Sequence, residues 1–344
     1  MAFECPTPIP STERIRLGHG SGGRLTSSLI EKVFLPLFSN EYLDKLHDGA
    51  IIELPSSKIA FSTDSYVITP IFFPGGDIGK LSITGTINDL AMCGARPLFI
   101  SLSLIIEEGF EMDKLNKVLL SAKEVADGVG VKIVTGDTKV VNKGKGDGIY
   151  INTSGIGVIE HDTEILPQNV KAGDAIVISG DIGRHGASVM ALREGIELES
   201  SIESDCCELW TTVERLLKEK VEIHCLRDLT RGGVASALNE IAKASGLGIF
   251  IEEEKIPIID EVKGICELLG LDPLYVANEG RFIAIVPEKF AEKTVNIISN
   301  ATGTQADIIG KITEDNKGKV VMKSLIGSYR LLDMMSGEQL PRIC

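Results

Sequence analysis

Hydrophobic and polar positions follow two alternating patterns along the first half of the chain. Apolar residues that recur every three or four positions predict amphipathic helices at residues 80–93 and 112–126. Short apolar runs between turn residues predict buried strands at residues 59–63, 98–106, 131–135 and 149–159. The polar, turn-rich stretch 161–173 predicts a domain boundary.

The second half repeats this alternation. Strands are predicted at residues 175–179, 281–286 and 307–312, and helices at residues 206–220, 232–245 and 288–300. The fold class is therefore α/β (α+β) in two domains. The predicted division is an N-terminal segment 1–40, domains 41–165 and 166–330, and an aperiodic tail 331–344.

Composition narrows the class of protein further. A chain of 344 residues with 43% hydrophobic residues exceeds one ordinary core, which supports two domains. The net charge of −14 and an aromatic content of 5% argue against nucleic-acid binding. No apolar run is long enough for a membrane span, and the N-terminus lacks the apolar core of a signal peptide, so a cytoplasmic location is expected. Seven cysteines without a CxxC pair support neither a disulfide framework nor a zinc site.

Four aspartates are candidates for a cation site. Asp64 and Asp137 each end a predicted strand, where α/β folds gather their ligands. Asp89 shares a face of the helix 80–93 with Asn88, and Asp48 lies in a turn. Converging carboxylates repel one another unless a cation lies between them, and Mg²⁺ holding nucleotide phosphates suits such a site. The alternative for each aspartate is a turn or helix-cap residue.

Two glycine-rich stretches are candidates for phosphate binding. Residues 19–24 contain Gly20, Gly22 and Gly23 before a helical pattern, but match neither the Rossmann fingerprint nor the Walker A loop. The second stretch, 227–234, places a glycine pair beside polar residues, namely Asp228, Thr230 and Arg231. A flexible terminal loop and a closely packed helix start are the respective alternatives.

Three further positions carry candidate chemistry. Glu279 precedes an apolar strand and is either a general base or a turn residue. His185 is most simply a helix-start residue, and the Cys206–Cys207 pair is most simply structural at the start of a helix. Cys344 ends the chain on the aperiodic tail, so its thiol could carry a covalently attached group between sites. The alternative is an inert terminal thiol.

Several of these stretches resemble a known family. Residues 86–97 resemble the signature of the aminoimidazole ribonucleotide synthetase-like (PurM-like) ATP-binding superfamily, which includes selenophosphate synthetase and thiamin-monophosphate kinase. Residues 180–190, 227–240 and the terminal Pro-Arg-Ile-Cys resemble its hydrogenase maturation branch, HypE. The resemblance extends over nearly the whole chain.

The resemblance implies a fold and a reaction. The implied fold is a homodimer whose N-terminal domains pair their sheets into a barrel-like core, with ATP in a cleft between domains. The implied reaction begins when a HypF-like carbamoyltransferase loads a carbamoyl group onto Cys344. ATP-dependent dehydration then gives a thiocyanate, and the cyano group passes to iron in the HypC–HypD complex on the way to the [NiFe]-hydrogenase site.

The resemblance and the chemistry together assign roles to the candidate residues. Glu279 would be the base and Lys139 would polarise the carbamoyl oxygen or the γ-phosphate. Mg²⁺ would be held by Asp48, Asp64, Asp89 and Asp137. ATP would contact Gly20, Gly22, Gly23, Asn88, Asp228, Thr230 and Arg231. Two alternatives stay open, which are a sister phosphotransferase of the selenophosphate synthetase or thiamin-monophosphate kinase type, and a non-enzymatic carrier.

Overall fold

Two β-sheets organise the structure, a computed structural model that describes residues 13–20, 24–45, 52, 54–55, 58–196, 202–334, 340 and 342–344. The first sheet has four strands in the order β1-β6-β4-β5. Its strands are β1 (Ile59–Tyr66), β4 (Arg96–Glu107), β5 (Lys132–Val141) and β6 (Ile149–Val158). The β4–β5 pair is parallel and the other pairs are antiparallel. The short strands β2 (Phe72–Phe73) and β3 (Gly76–Asp77) pair separately.

The second sheet has seven strands in the order β13-β12-β9-β11-β7-β10-β8. They are β7 (Ala175–Ile178), β8 (Cys225–Asp228), β9 (Gly248–Glu252), β10 (Phe282–Val286), β11 (Asp307–Thr313), β12 (Val320–Lys323) and β13 (Tyr329–Leu331). Only the β9–β12 pair is parallel among these strands of the described chain. Every residue of the central strands β7 and β10 is buried, as expected for strands covered on both faces.

Helices connect and cover the two sheets. Those of the first half are α1 (Arg24–Leu29), α2 (Leu35–Phe38), α3 (Ile78–Met92) and α4 (Met112–Val129). Those of the second half are α5 (Arg184–Glu194), α6 (Trp210–Lys218), α7 (Gly233–Ser245), α8 (Asp260–Leu269) and α9 (Ala291–Thr302). The fold class predicted from the sequence is confirmed.

Several element boundaries differ from the sequence prediction. The helix predicted from residue 206 begins only at Trp210, so Cys206 and Cys207 lie in the preceding loop rather than at a helix start. Asp64 and Asp137 do not end their strands, because β1 continues to Tyr66 and β5 to Val141. In both strands, pairing with the neighbouring strand continues beyond the aspartate. Strands β8, β9, β12 and β13 and helix α8 were not predicted.

Helix α3 lies between the two halves of the chain. It begins where the Asp77 carboxylate accepts hydrogen bonds from the backbone N–H groups of Gly79 and Lys80, at 2.7 and 3.1 Å. It packs on one face of the four-stranded sheet, here called the inner face, and also contacts β8 and α6. The helix is therefore buried almost all round, including polar residues such as Thr84 and Asn88.

Candidate active site

Asn88 joins the two halves of the chain. Its side-chain amide donates to the carbonyls of Cys207 and Glu279, at 3.2 and 3.3 Å, and its carbonyl oxygen accepts from the backbone N–H of Leu209 at 2.8 Å. The side chain is 2% exposed. All these bonds are structural, so a contact between Asn88 and ATP stays a prediction. The neighbouring Gly85 is also explained by packing, because a Cβ there would lie 2.3 Å from the Tyr66 hydroxyl.

Three aspartates meet where α3, β1 and β8 approach one another. Asp89 accepts a 2.5 Å hydrogen bond from the hydroxyl of Ser62, which lies on the inner face of β1. Burial raises the pKa of Asp89, and the charge of Asp64 raises it further. Burial, followed by the charge of Asp89, raises the pKa of Asp228 to about 6. Asp64, Asp89 and Asp228 therefore form one electrostatically coupled group, here called the aspartate cluster.

Glu279 faces this cluster from the loop before β10. The side chain is 3% exposed, and its Oε1 has no hydrogen-bond partner among the residues that the structure describes. Burial raises the pKa of Glu279 well above its ordinary value, and the charges of Asp205, Asp228 and Asp64 add to this shift. Arg231 opposes it. A buried carboxyl of this kind, beside other carboxylates, is suited to bind a cation or to accept a proton.

The end of the chain enters the same place. The backbone N–H groups of Val67 and Thr69 donate to the carbonyl oxygens of Cys344 and Arg342, at 3.0 and 3.4 Å. Ile343 is 2% exposed. Burial, and then the charge of Glu279, raises the pKa of the Cys344 thiol to about 12. The thiol therefore lies within electrostatic range of Glu279, although the sequence pattern shows no element at residues 331–344.

The terminal residues are recognised individually. The Arg342 guanidinium donates to the Val67 carbonyl at 2.9 Å, pairs with Asp147 and lies over the Tyr150 ring at 6.0 Å from its centroid. Arg193 donates to the backbone carbonyl of Arg342. The Arg-Ile-Cys at residues 342–344 thus lies in a groove whose side chains and backbone bind it directly. Asp147 and Arg193 carried no signal in the sequence, because nothing in the pattern placed the tail beside them.

Asp137 and Lys139 lie on the other face of the first sheet, away from the aspartate cluster. The β-ladder aligns Asp137 with Ser103 of β4, on the face of the sheet opposite the inner face, here called the outer face. The Lys139 Nζ binds both carboxylate oxygens of Asp137, at 2.6 and 2.7 Å, and this bond lowers the pKa of Asp137. Within one copy of the chain, the structure therefore does not bring Asp137 together with Asp64 and Asp89, because side chains on alternate positions of a strand point to opposite faces. A role for Asp137 in binding Mg²⁺ stays a prediction.

A cavity of about 670 Å³ borders this pair. It separates β5 from the N-terminal helices and is lined by apolar side chains such as Phe34, Phe38 and Ile133. Asp137, Thr138 and Lys139 are among its polar lining residues, together with Thr26, Ser27, Glu31, Tyr42 and Thr135. The cavity is thus distinct from the place where the aspartate cluster, Glu279 and Cys344 meet.

The glycine-rich candidates divide in the same way. Gly232 and Gly233 both have positive φ, and a Cβ at Gly233 would lie 2.6 Å from the Leu274 carbonyl oxygen, so this pair allows α7 to pack closely. Arg231, just before it, interacts with Glu279 and Cys344. Thr230 lies in the same loop, and Gly20 ends a 3₁₀ turn at Leu17–Gly20. Asp48, Gly22 and Gly23 lie outside the described residues.

The aspartate cluster fits Mg²⁺ by its chemistry. In the part of the chain that the structure describes, no group of three or more His, Cys, Asp or Glu side chains is arranged to hold a metal by itself. Mg²⁺ does not need one, since it usually takes one or two carboxylates together with substrate phosphates. The carboxylates of Asp64, Asp89 and Asp228 are hard oxygen ligands whose mutual repulsion a cation would relieve.

No helix within the described ranges is long and apolar enough to cross a membrane.

Known protein families match this chain along most of its length. Residues 46–159 match the family model of the AIR synthase related protein, N-terminal domain, and residues 171–323 match that of its C-terminal domain. Carbamoyl dehydratase HypE of Azotobacter vinelandii is 46% identical over 331 residues, which cover 96% of this chain and 97% of that one.

Two solved structures extend the comparison. A crystal structure of hydrogenase maturation protein HypE in complex with ATP has a TM-score of 0.92 and 45% identity, and the match covers 95% of this chain and 99% of that chain. A HypE–HypF complex has a TM-score of 0.78 and 45% identity, covering 90% and 100%. The chain therefore belongs to the AIR synthase related proteins and, among them, to the family of HypE carbamoyl dehydratases.

Asp205 is a site residue that sequence reasoning missed. It is buried, and its carboxylate accepts from the backbone N–H groups of Glu279 and Gly280, at 3.3 and 3.1 Å. It thereby fixes the loop that carries Glu279, and its charge raises the pKa of that residue. No spacing or motif links the two positions, which are more than seventy residues apart.

Proposed function

We propose that this protein dehydrates an S-carbamoyl group on Cys344 to an S-cyano group, with ATP as the co-substrate. The observation that carries the proposal is the terminal thiol of Cys344 beside Glu279 and the aspartate cluster. The reaction conserves atoms: the carbamoyl oxygen attacks the γ-phosphorus, ADP leaves, and the oxygen departs later as phosphate. Two N–H protons are lost, which leaves C≡N on sulfur.

Glu279 suits the proton-accepting role. A general base works best when its pKa lies near the working pH, and burial moves the pKa of Glu279 upward from its ordinary value. Its Oε1, which accepts no hydrogen bond within the described ranges, can bind an N–H of the carbamoyl group. Arg231 faces both Glu279 and Cys344 and supplies positive charge beside the reacting oxygen.

The aspartate cluster suits Mg·ATP. A relative of known structure binds ATP, which supports nucleotide binding here. When bound, Mg²⁺ neutralises the transferring phosphoryl oxygens. Asp64, Asp89 and Asp228 would hold it, while Thr230 and Arg231 lie in the loop next to Asp228. Asp48, Gly20, Gly22 and Gly23 remain predicted contributors near the N-terminus.

In a homodimer, the outer face of the first sheet would pack against the same face of a second copy. Ile59, Phe61 and Ile105 are 43%, 67% and 46% exposed and lie on this face. Large exposed apolar side chains on one sheet face favour sheet-on-sheet packing with a second copy. Asp137 and Lys139 share this face, so any role for them in the reaction would be exercised near the dimer interface.

The thiol must leave the cleft to be loaded. The nucleophile in carbamoyl transfer is a thiolate, and a pKa of about 12 keeps Cys344 protonated in the buried position. Loading by a HypF-like carbamoyltransferase therefore suits an extended tail, and a relative forms a complex with HypF. Delivery of the cyano group to a HypC–HypD complex rests on the family resemblance, and the cytoplasmic setting remains the expectation drawn from the apolar pattern of the sequence.

Intact mass spectrometry tests the proposal directly. After incubation with HypF, carbamoyl phosphate and ATP, we expect the carbamoyl form on Cys344 and then a form lighter by one water. The matched control is Cys344→Ala, which should keep fold and ATP binding and show neither form. A phosphotransferase would hydrolyse ATP equally with a bare tail, and a non-enzymatic carrier would never lose the water. Hydrogenase maturation supported by Cys344→Ala would overturn the proposal.

A further inference from the structure

His185 contacts the tail at the residue next to the reactive thiol. It is fully buried near the start of α5, with Nε2 2.8 Å from the backbone carbonyl oxygen of Ile343 and Nδ1 2.8 Å from the Ser204 hydroxyl. A carbonyl oxygen can only accept, so the hydrogen of the ring lies on Nε2. The Nδ1 lone pair then accepts from Ser204.

A second contact fixes this tautomer. The backbone N–H of Cys206 donates to the Ser204 hydroxyl oxygen at 3.1 Å, which leaves the Ser204 proton for His185. Burial lowers the pKa of His185, which favours the neutral ring, with one donor and one acceptor. Cys206 thus donates to Ser204, Ser204 donates to His185, and His185 donates to Ile343 of the tail. The ring is also held edge-on against Phe73, with 5.3 Å between centroids.

The peptide beside the thiol is thereby held on both sides. His185 binds the carbonyl of Ile343, and the N–H of Val67 binds the next carbonyl, that of Cys344, at 3.0 Å. Fixing two successive carbonyls fixes the direction in which the Cys344 side chain leaves the backbone. The His185 donor has no other partner in the described chain, so departure of the tail removes the hydrogen bond of this donor.

We propose that His185 is a positioning residue that docks the loaded tail by donating from Nε2 to the Ile343 carbonyl. The inference rests on the proposed function and adds which contact keeps the tail in the cleft. His185 touches neither the carbamoyl group nor ATP. It aligns the carbamoyl group with Glu279 and favours return of the tail after loading.

Two substitutions separate the donor from the bulk of the ring. In His185→Gln the amide nitrogen can occupy the place of Nε2, so the bond to Ile343 is kept. In His185→Asn the shorter amide reaches only the place of Nδ1, so Ser204 is satisfied and Ile343 is not. The measurement is the alkylation rate of Cys344 by iodoacetamide, followed by mass spectrometry of the C-terminal peptide. Cys225, which is fully buried, reports the integrity of the fold.

We expect His185→Asn to alkylate at Cys344 about 3- to 10-fold faster than wild type, the ratio for loss of one hydrogen bond. His185→Gln should stay near wild type, and Cys225 should stay protected in both. Equal Cys344 rates in the two variants, with Cys225 protected, would overturn the proposal. If Cys225 also becomes reactive, Ser204→Ala replaces them: faster alkylation confined to Cys344 supports the proposal, and a wild-type rate overturns it.

A second readout separates this proposal from the function itself. His185→Asn should accept the carbamoyl group at the wild-type rate and lose water more slowly, with His185→Gln restoring the rate. If wild type never loses water, the proposed function fails, while the alkylation result still decides the role of His185. Equal dehydration rates in wild type and His185→Asn would contradict the positioning role alone.

Discussion

Glu279 is the charged group with the largest effect on the thiol of Cys344. The two residues are 65 positions apart in the sequence, and each has its pKa raised mainly by burial. Because the pKa of the Cys344 thiol is raised to about 12, the resting site holds a thiol and not a thiolate. In the proposed reaction, the tail is therefore loaded before it enters this site.

Replacing Glu279 by Gln should separate loading from dehydration. Glutamine keeps the size and hydrogen-bonding reach of the side chain but cannot accept the proton. The variant should take the carbamoyl group normally and then lose water about 10²- to 10⁴-fold more slowly, the usual loss for a general base. Intact mass after ATP addition should stay at the carbamoyl value. Conversion at the wild-type rate would make Glu279 a turn residue only.

The raised pKa of Asp228 predicts a dependence of stability on pH. The folded state keeps the proton up to a pKa of about 6, whereas the unfolded state releases it near 3.8, so the free energy of unfolding falls as pH rises between these values. Asp228→Asn removes this loss. Without nucleotide and Mg²⁺, the variant should match wild type near pH 3.5 and exceed it by up to about 3 kcal/mol at pH 7 in urea unfolding. A difference independent of pH would contradict the assignment.

The aspartates should differ in their effect on Mg·ATP. Asp64→Asn and Asp89→Asn each remove a charge from the cluster and should weaken Mg·ATP binding more than they lower the melting temperature. Calorimetric titration with and without Mg²⁺ measures this. If melting temperature falls while affinity holds, these aspartates serve as structural residues instead.

Substitutions of Asp137 and Lys139 test whether the outer face of the first sheet takes part in the reaction. If a second copy brings this pair to the site, Asp137→Asn should also weaken Mg·ATP binding, and Lys139→Ala should stall at the carbamoyl stage. Both variants should fold normally, because the pair is exposed and contributes little stability. Wild-type kinetics for both would confine the reaction to the residues of one cleft.

The exposed outer face predicts the oligomeric state. Phe61→Glu places a charge where a second sheet would pack, and burying it unpaired is costly. Size-exclusion chromatography with light scattering should show a dimer for wild type and a monomer for the variant, with an unchanged circular dichroism spectrum. Lys58→Glu, just before β1, is a control with the same new residue outside the strand. A monomeric wild type would contradict the proposed pairing.

The sequence predicted the larger elements and failed on those that tertiary contacts create. Helix α4 was predictable because one face is apolar and the other polar, and it ends at Gly130 with a positive φ. Helix α3 was predicted as an element, yet its polar face was interpreted as a ligand face. The structure adds a packing role for this face, because Asn88 binds the loop before α6, and a helix covered on all sides must satisfy its polar groups within the protein.

Residue chemistry alone determined that this protein has a terminal thiol, several candidate carboxylates and two α/β halves. Which carboxylates meet was decided only by the fold. The register of β1 and β5 sends Asp64 and Asp137 to opposite faces of one sheet, although both follow similar apolar runs. Likewise, only the groove around Val67, His185 and Arg193 shows where the tail lies, because three residues without periodicity are held by backbone hydrogen bonds that no sequence pattern records.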